Sequence, residues 1–138
     1  MKKLIFKIIS VIIMLCMLTL STASIYATSG VSYIIAEDVN LNGTTSEFEI
    51  PVSISDNQGI MGFMLLITYN SEIIEPVSVE RGEALGAGFF NDSIGSSENG
   101  QLKVMWTGSE NSYTNGVLFK IKFKVLKTDF TSTKVLFD

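Results

Sequence analysis

The chain has 138 residues, a net charge of −4, no histidine and a single cysteine, Cys16. Without histidine, catalytic triads and zinc sites lose their usual members, and the acidic balance argues against nucleic acid or anionic lipid as a partner. Hydrophobic residues make up 46% of the chain, which suits one small domain with a packed core.

Residues 1–27 read as a targeting segment. Lys2, Lys3 and Lys7 form a basic start, residues 8–20 are apolar apart from Ser10 and Thr19, and small residues follow, offering cleavage after Ala23 or Ala27. The apolar run is shorter than a membrane helix needs, so the expectation is a secretory signal peptide and no membrane span. Cys16 follows Leu15 rather than the small residue a lipid-attachment site requires. Residues 28–138 form the second unit. It loses three lysines with the leader and so is more acidic, and it has no cysteine, so its core and not disulfides must hold it together.

Residues 31–39 (VSYIIAEDV) are rich in β-branched side chains and predict a first strand, followed by turn material to residue 46. Residues 47–55 alternate, with Phe48, Ile50, Val52 and Ile54 on one face and Glu47, Glu49, Ser53 and Ser55 on the other. Pro51 removes a backbone donor, which predicts an edge position or a bulge. Asp56-Asn57-Gln58-Gly59 is a turn. Residues 60–69 are apolar on both faces: Phe63, Leu65, Ile67 and Tyr69 on one, Gly62, Met64, Leu66 and Thr68 on the other. Such a strand is either covered twice within the chain or meets a partner. No stretch reads as a helix that supplies the second cover.

After a turn at Asn70-Ser71, residues 73–79 form a short strand broken by Pro76, and residues 83–88 a Gly/Ala-rich loop. Residues 89–94 are a short strand. Residues 101–107 set Leu102, Val104 and Trp106 inward against Lys103, Met105 and Thr107, and residues 108–115 read as a polar loop. The strongest pattern lies in residues 116–125. Val117, Phe119, Ile121, Phe123 and Val125 share one face and Lys120, Lys122 and Lys124 the other, with Leu118 out of step. Residues 133–137 start one more strand. A strand with this many large apolar side chains on one face needs a second layer to bury them, so the architecture is an all-β sandwich.

Four of these segments, in order and spacing, resemble the cohesin domain, the dockerin receptor of cellulosome scaffolds. Glu49-Ile50-Pro51-Val52-Ser53-Ile54 is similar to that family's T-I-P-V strand, and Tyr69-Asn70-Ser71-Glu72-Ile73-Ile74-Glu75 to its Y-D-P-x-V-L-E. Val77-Ser78-Val79-Glu80-Arg81-Gly82 is similar to V-x-V-x-x-G, and residues 116–125 (GVLFKIKFKV) to G-V-L-A-T-I-x-F-K-V. Asn70 and Ser71 stand where the family has Asp-Pro, and Gly62 and Met64 where type I members often carry polar residues. The resemblance implies a jelly-roll β-sandwich of about eight to nine strands. It also implies a partner face on the third, fifth, sixth and eighth strands, with Gly62, Met64, Leu66, Asn91, Lys103 and Met105 pointing outward. The implied partners are dockerin domains of secreted enzymes, and through them polysaccharide indirectly, in an extracellular or cell-surface setting. The family's final strand, which pairs with the first, is not found before Asp138, so the domain is expected to be C-terminally incomplete.

Other chemistry finds less support. Asp38-Val39-Asn40-Leu41-Asn42-Gly43 with Glu49 fits the EF-hand calcium loop D-x-[DN]-x-[DN]-G-x5-E. That loop needs helices on both sides, whereas strand patterns flank it here, so it is read as a connection between strands, with no metal site. Glu72, Glu75, Glu80 and Glu83 offer carboxylates for a glycosidase pair, but they read as a solvated edge. Gly86-Ala87-Gly88 lacks the lysine of a phosphate loop. The expectation is a non-catalytic module that uses no cofactor. The rival is a carbohydrate-binding module of similar fold, which stacks sugars on exposed rings. Trp106, the one tryptophan, falls on the inward side, leaving Tyr33 and Tyr113.

Overall fold

Two antiparallel sheets face each other in the computed structural model, which describes residues 30–39, 45–95, 100–127, 129–130 and 132–138. The targeting segment and positions 40–43 of the calcium-loop pattern lie outside the described residues. The strands are β1 (Tyr33–Ala36), β2 (Glu47–Ser55), β3 (Ile60–Tyr69), β4 (Ile74–Arg81), β5 (Gly88–Asp92), β6 (Gln101–Ser112), β7 (Gly116–Val125) and β8 (Val135–Phe137). One sheet runs β1-β2-β7-β4 and the other β5-β6-β3-β8. No helix occurs among the described residues, and none is long and apolar enough to cross a membrane.

Alternation decides what lies between the layers. Val52, Ile54, Phe119, Ile121 and Phe123 of the first sheet meet Ile67, Leu102, Val104 and Trp106 of the second, all of them buried. Aromatic contacts join the sheets: Phe63 stacks on Phe119 at 5.8 Å, and Tyr69 meets Phe123 edge-on at 5.6 Å. Phe48 stacks on Phe123 from the neighbouring strand at 5.5 Å. Phe123 therefore sits at the centre of an aromatic cluster drawn from both layers.

Irregularities in three ladders correct the simple alternation. Val52 pairs with Phe119 but Ser53 pairs with Val117, so β7 carries one extra residue, Leu118. Leu118 joins Phe119 in the core, while Val117, expected inward, lies half-buried beside outward-facing Ser53. Pro51 lies next to this bulge, at the end of β1, where its carbonyl accepts the Glu37 N–H. Its N and C=O point to the same side of the strand, so the missing donor falls where β1 runs out. Pro76 does not break its strand. It is buried opposite Phe123 on β4, an edge strand, and the extra residue Val77 bulges outward after it. Finally, β6 continues past the expected loop start: Gly108 pairs with Gly88, and Ser112 pairs with Ile60.

Polar side chains pin the connections. Asn57 donates to the carbonyls of Ser112 and Thr114, each at 3.0 Å, and its Oδ1 accepts the Gly59 N–H. These bonds tie the β2–β3 turn to the β6–β7 connection and satisfy a buried amide. The Arg81 guanidinium donates to the carbonyls of Leu85 and Gly86, holding the β4–β5 loop. The Glu83 carboxylate is held below its usual range by its own backbone N–H and by that of Val117.

Along β2, β7 and β4 the outer face of the first sheet carries a charged ladder, while Tyr33 and Ile35 of β1 and Val77 of β4 are exposed beside it. Lys124 lies between Glu47 and Glu75, Lys122 opposite Glu49, and Lys120 opposite Glu80. The Lys122 ammonium contacts the Glu47 carboxylate at 2.6 Å, a bond that holds it protonated above the ordinary lysine range. Cross-strand pairs of this kind suit a face that remains in water. Glu49 belongs to this ladder, and both flanks of the calcium-loop pattern are strands, as expected. Asp38→Ala with Glu49→Ala should therefore leave the melting temperature equally insensitive to calcium and to chelator. A calcium-dependent rise in the unmutated protein that the double variant loses would restore the pattern as a metal site.

Candidate functional site

The outer face of β5-β6-β3-β8 is built differently. Register sets its rows. Asn91, Met105 and Met64 lie side by side across β5, β6 and β3. In the next row Leu66 pairs with Lys103 and, through reciprocal backbone bonds of 2.9 Å, with Asp138. Phe89, Thr107 and Gly62 form a third row, and Gln101, Thr68 and Leu136 a fourth. All six residues expected to face outward (Gly62, Met64, Leu66, Asn91, Lys103, Met105) share this one face. Gly62, Met64, Asn91 and Lys103 are exposed, and Leu66 and Met105 half-buried.

Gly62 contributes by lacking a side chain. A Cβ there would lie 2.9 Å from the Trp106 carbonyl oxygen, so the close approach of β3 and β6 at the bulge favours glycine. Met64 is 59% exposed although it is a large apolar side chain on an inner strand of its sheet. Two further residues of this face escaped sequence reasoning: Phe89, 59% exposed opposite Thr107, and Leu136, 55% exposed opposite Thr68. The signal for both was parity, since Phe89 stands two residues before Asn91 and Leu136 falls between inward Val135 and Phe137. Together with Met64, Leu66 and Met105 they make an apolar patch of a kind that single exposed residues do not.

The contrast between the two outer faces is chemical. The β7 face carries alternating carboxylates and ammonium groups, whereas the paired rows of β6 and β3 on the other face set Lys103 among Gln101, Met105, Thr107, Gly62, Met64, Leu66 and Thr68, with Glu110 exposed farther along β6. Methionine at the centre is adaptable contact surface. Among the described residues no group of three or more acidic residues converges as metal ligands. The four carboxylates considered for glycosidase work are dispersed. Glu72 pairs with Lys127 at 3.3 Å, Glu75 and Glu80 belong to the charged ladder, and Glu83 accepts the Val117 N–H. A groove of about 690 Å³ opens elsewhere, between β1–β2 and the β8 segment, floored by Phe48, Ile50, Val135 and Phe137. Its floor is made of side chains that pack against the core. Trp106 is buried, Tyr113 projects from the β6–β7 connection and Tyr33 lies on β1, so no row of rings forms on the flat face among the described residues.

The fold and this face define the class: a two-layer antiparallel β-sandwich with an open sheet surface that exposes an apolar patch. The cohesin domain model matches residues 25–138, and the chain belongs to the cohesin family. Among curated proteins none matches. Several solved cohesins share the fold. The cohesin of a type I cohesin–dockerin complex from Clostridium thermocellum is 20% identical with a TM-score of 0.62, over 78% of this chain and 81% of that one. A cohesin from Clostridium acetobutylicum solved in solution is 16% identical with a TM-score of 0.65, over 79% and 75%. A non-cellulosomal cohesin from the hyperthermophilic archaeon Archaeoglobus fulgidus is 25% identical with a TM-score of 0.61, over 76% and 73%.

Proposed function

We propose that this chain is a secreted, non-catalytic docking module that receives dockerin domains on the outer face of β5-β6-β3-β8. The observation that carries the reading is the difference between the two outer faces: a cross-strand charge ladder on one, and on the other a patch of Phe89, Met64, Met105, Leu66 and Leu136. Family membership supplies the partner class, and complexes such as that of Clostridium thermocellum support it. The leader read in residues 1–27 supports export. Dockerin-bearing enzymes would bring polysaccharide degradation within reach of the module. A cellulosome is the setting proposed, with the archaeal relative a reminder that the fold also serves outside one.

The purified protein, immobilised and exposed to the secreted proteins of its own cells, should recover dockerin-bearing enzymes. Recovery should require calcium, because dockerins fold around that ion. Retention on cellulose or xylan, with no dockerin captured, would transfer the chain to the carbohydrate-binding reading.

A further inference from the structure

We propose that Lys103 selects among partners, and that the segment docking on this face places a carboxylate over its ammonium group; this deepens the docking reading and rests on it. Lys103 is exposed at the middle of the sheet, paired with Leu66 on β3 and followed two residues on by Met105, which pairs with Met64. Its main chain is fixed on the other side, where Ser93 N–H donates to the Lys103 carbonyl at 3.0 Å and Lys103 N–H donates to Ser93 Oγ at 2.9 Å. The root of the side chain is therefore held. Among the described residues Lys103 has no ion-pair partner, unlike Lys122 with Glu47 and Lys127 with Glu72. Asp138 lies on the far side of Leu66 and makes no ion pair with it.

On a protein with an acidic balance, an unpaired cation in an apolar patch is a discriminating feature. A partner that covers Met64, Met105 and Leu66 strips water from Lys103. If the covering surface is neutral or basic there, the ammonium is left desolvated without a counter-charge, which is costly. If it offers a carboxylate, the charge-assisted hydrogen bond offsets that cost and the pair adds specificity. Attraction toward acidic partners and rejection of basic ones then come from one residue.

The test uses a calcium-loaded dockerin module recovered in the experiment above, with each acidic residue of its helices changed singly to lysine. Binding to the unmutated protein and to Lys103→Glu and Lys103→Met is followed by calorimetry. One reversal should weaken binding to the unmutated protein by about 30-fold or more, and Lys103→Glu should restore binding of that same reversed dockerin. Lys103→Met should fold normally and lose the discrimination between the two dockerins. Equal binding of acidic and reversed dockerins by the unmutated protein, or no rescue by Lys103→Glu, overturns the role of Lys103 while leaving docking intact. If the unmutated protein binds no dockerin at all, the docking reading falls and this inference falls with it.

Discussion

Phe123→Asp should leave the chain unfolded. Phe123 is 0% exposed and touches Phe48 from its own sheet and Tyr69 from the opposite one. Removing the ring alone costs about 3–5 kcal/mol, and an uncompensated carboxylate in that space adds several more. A domain of this size has about 5–15 kcal/mol in total, so the sum meets or exceeds what is available. Its ring neighbours Phe48 and Tyr69 offer the new charge no cation. Far-ultraviolet circular dichroism on heating should show no cooperative transition in the variant. A sharp melt within a few degrees of the unmutated protein would mean that Phe123 is not central to the core.

Met64→Asp and Met105→Asp should do the reverse, keeping the fold and losing the partner. Met64 is exposed on the outer face and Met105 is half-buried beside it, so Met64→Asp is expected to change stability by about 0.5 kcal/mol or less and Met105→Asp by somewhat more. In the proposed complex both positions would lose water. An unpaired carboxylate then costs several kcal/mol, which lowers affinity by roughly two orders of magnitude or more. Calorimetric titration with a calcium-loaded dockerin, alongside thermal melts of the same samples, separates the two effects. Unfolding by Met64→Asp would show that β3 is covered on both sides. Normal binding by both folded variants would place the docking surface elsewhere on the sandwich.

The pairing of these experiments reflects how strand chemistry was legible. On β3, parity alone sorted Phe63, Leu65, Ile67 and Tyr69 from Gly62, Met64, Leu66 and Thr68, and the structure keeps that division. The face could be drawn from β3 and β6 because both are long enough for alternation to register. β5 and β8 are short, with five and three residues, and parity over so few positions is weak; Phe89 and Leu136 were missed for that reason. The resemblance carried by residues 49–54, 69–75, 77–82 and 116–125 supplied what alternation lacks, namely which four strands share a sheet.

Taken alone, the amino-acid sequence determined the two-layer all-β architecture, the inward sets of β2, β3, β6 and most of β7, and the absence of histidine chemistry. These follow from local periodicity and composition, which need no knowledge of neighbours. Tertiary structure decided the rest. Leu118 rather than Val117 entered the core because β2 and β7 pair out of step by one residue, and such a bulge is a property of two strands. β6 ran on to Ser112 because Gly88 and Ile60 were there to pair with it, and Pro76 stayed in its strand because β4 lies at an edge. The orders β1-β2-β7-β4 and β5-β6-β3-β8 join strands distant in sequence, so Met64, Met105 and Asn91 became neighbours only when those ladders closed.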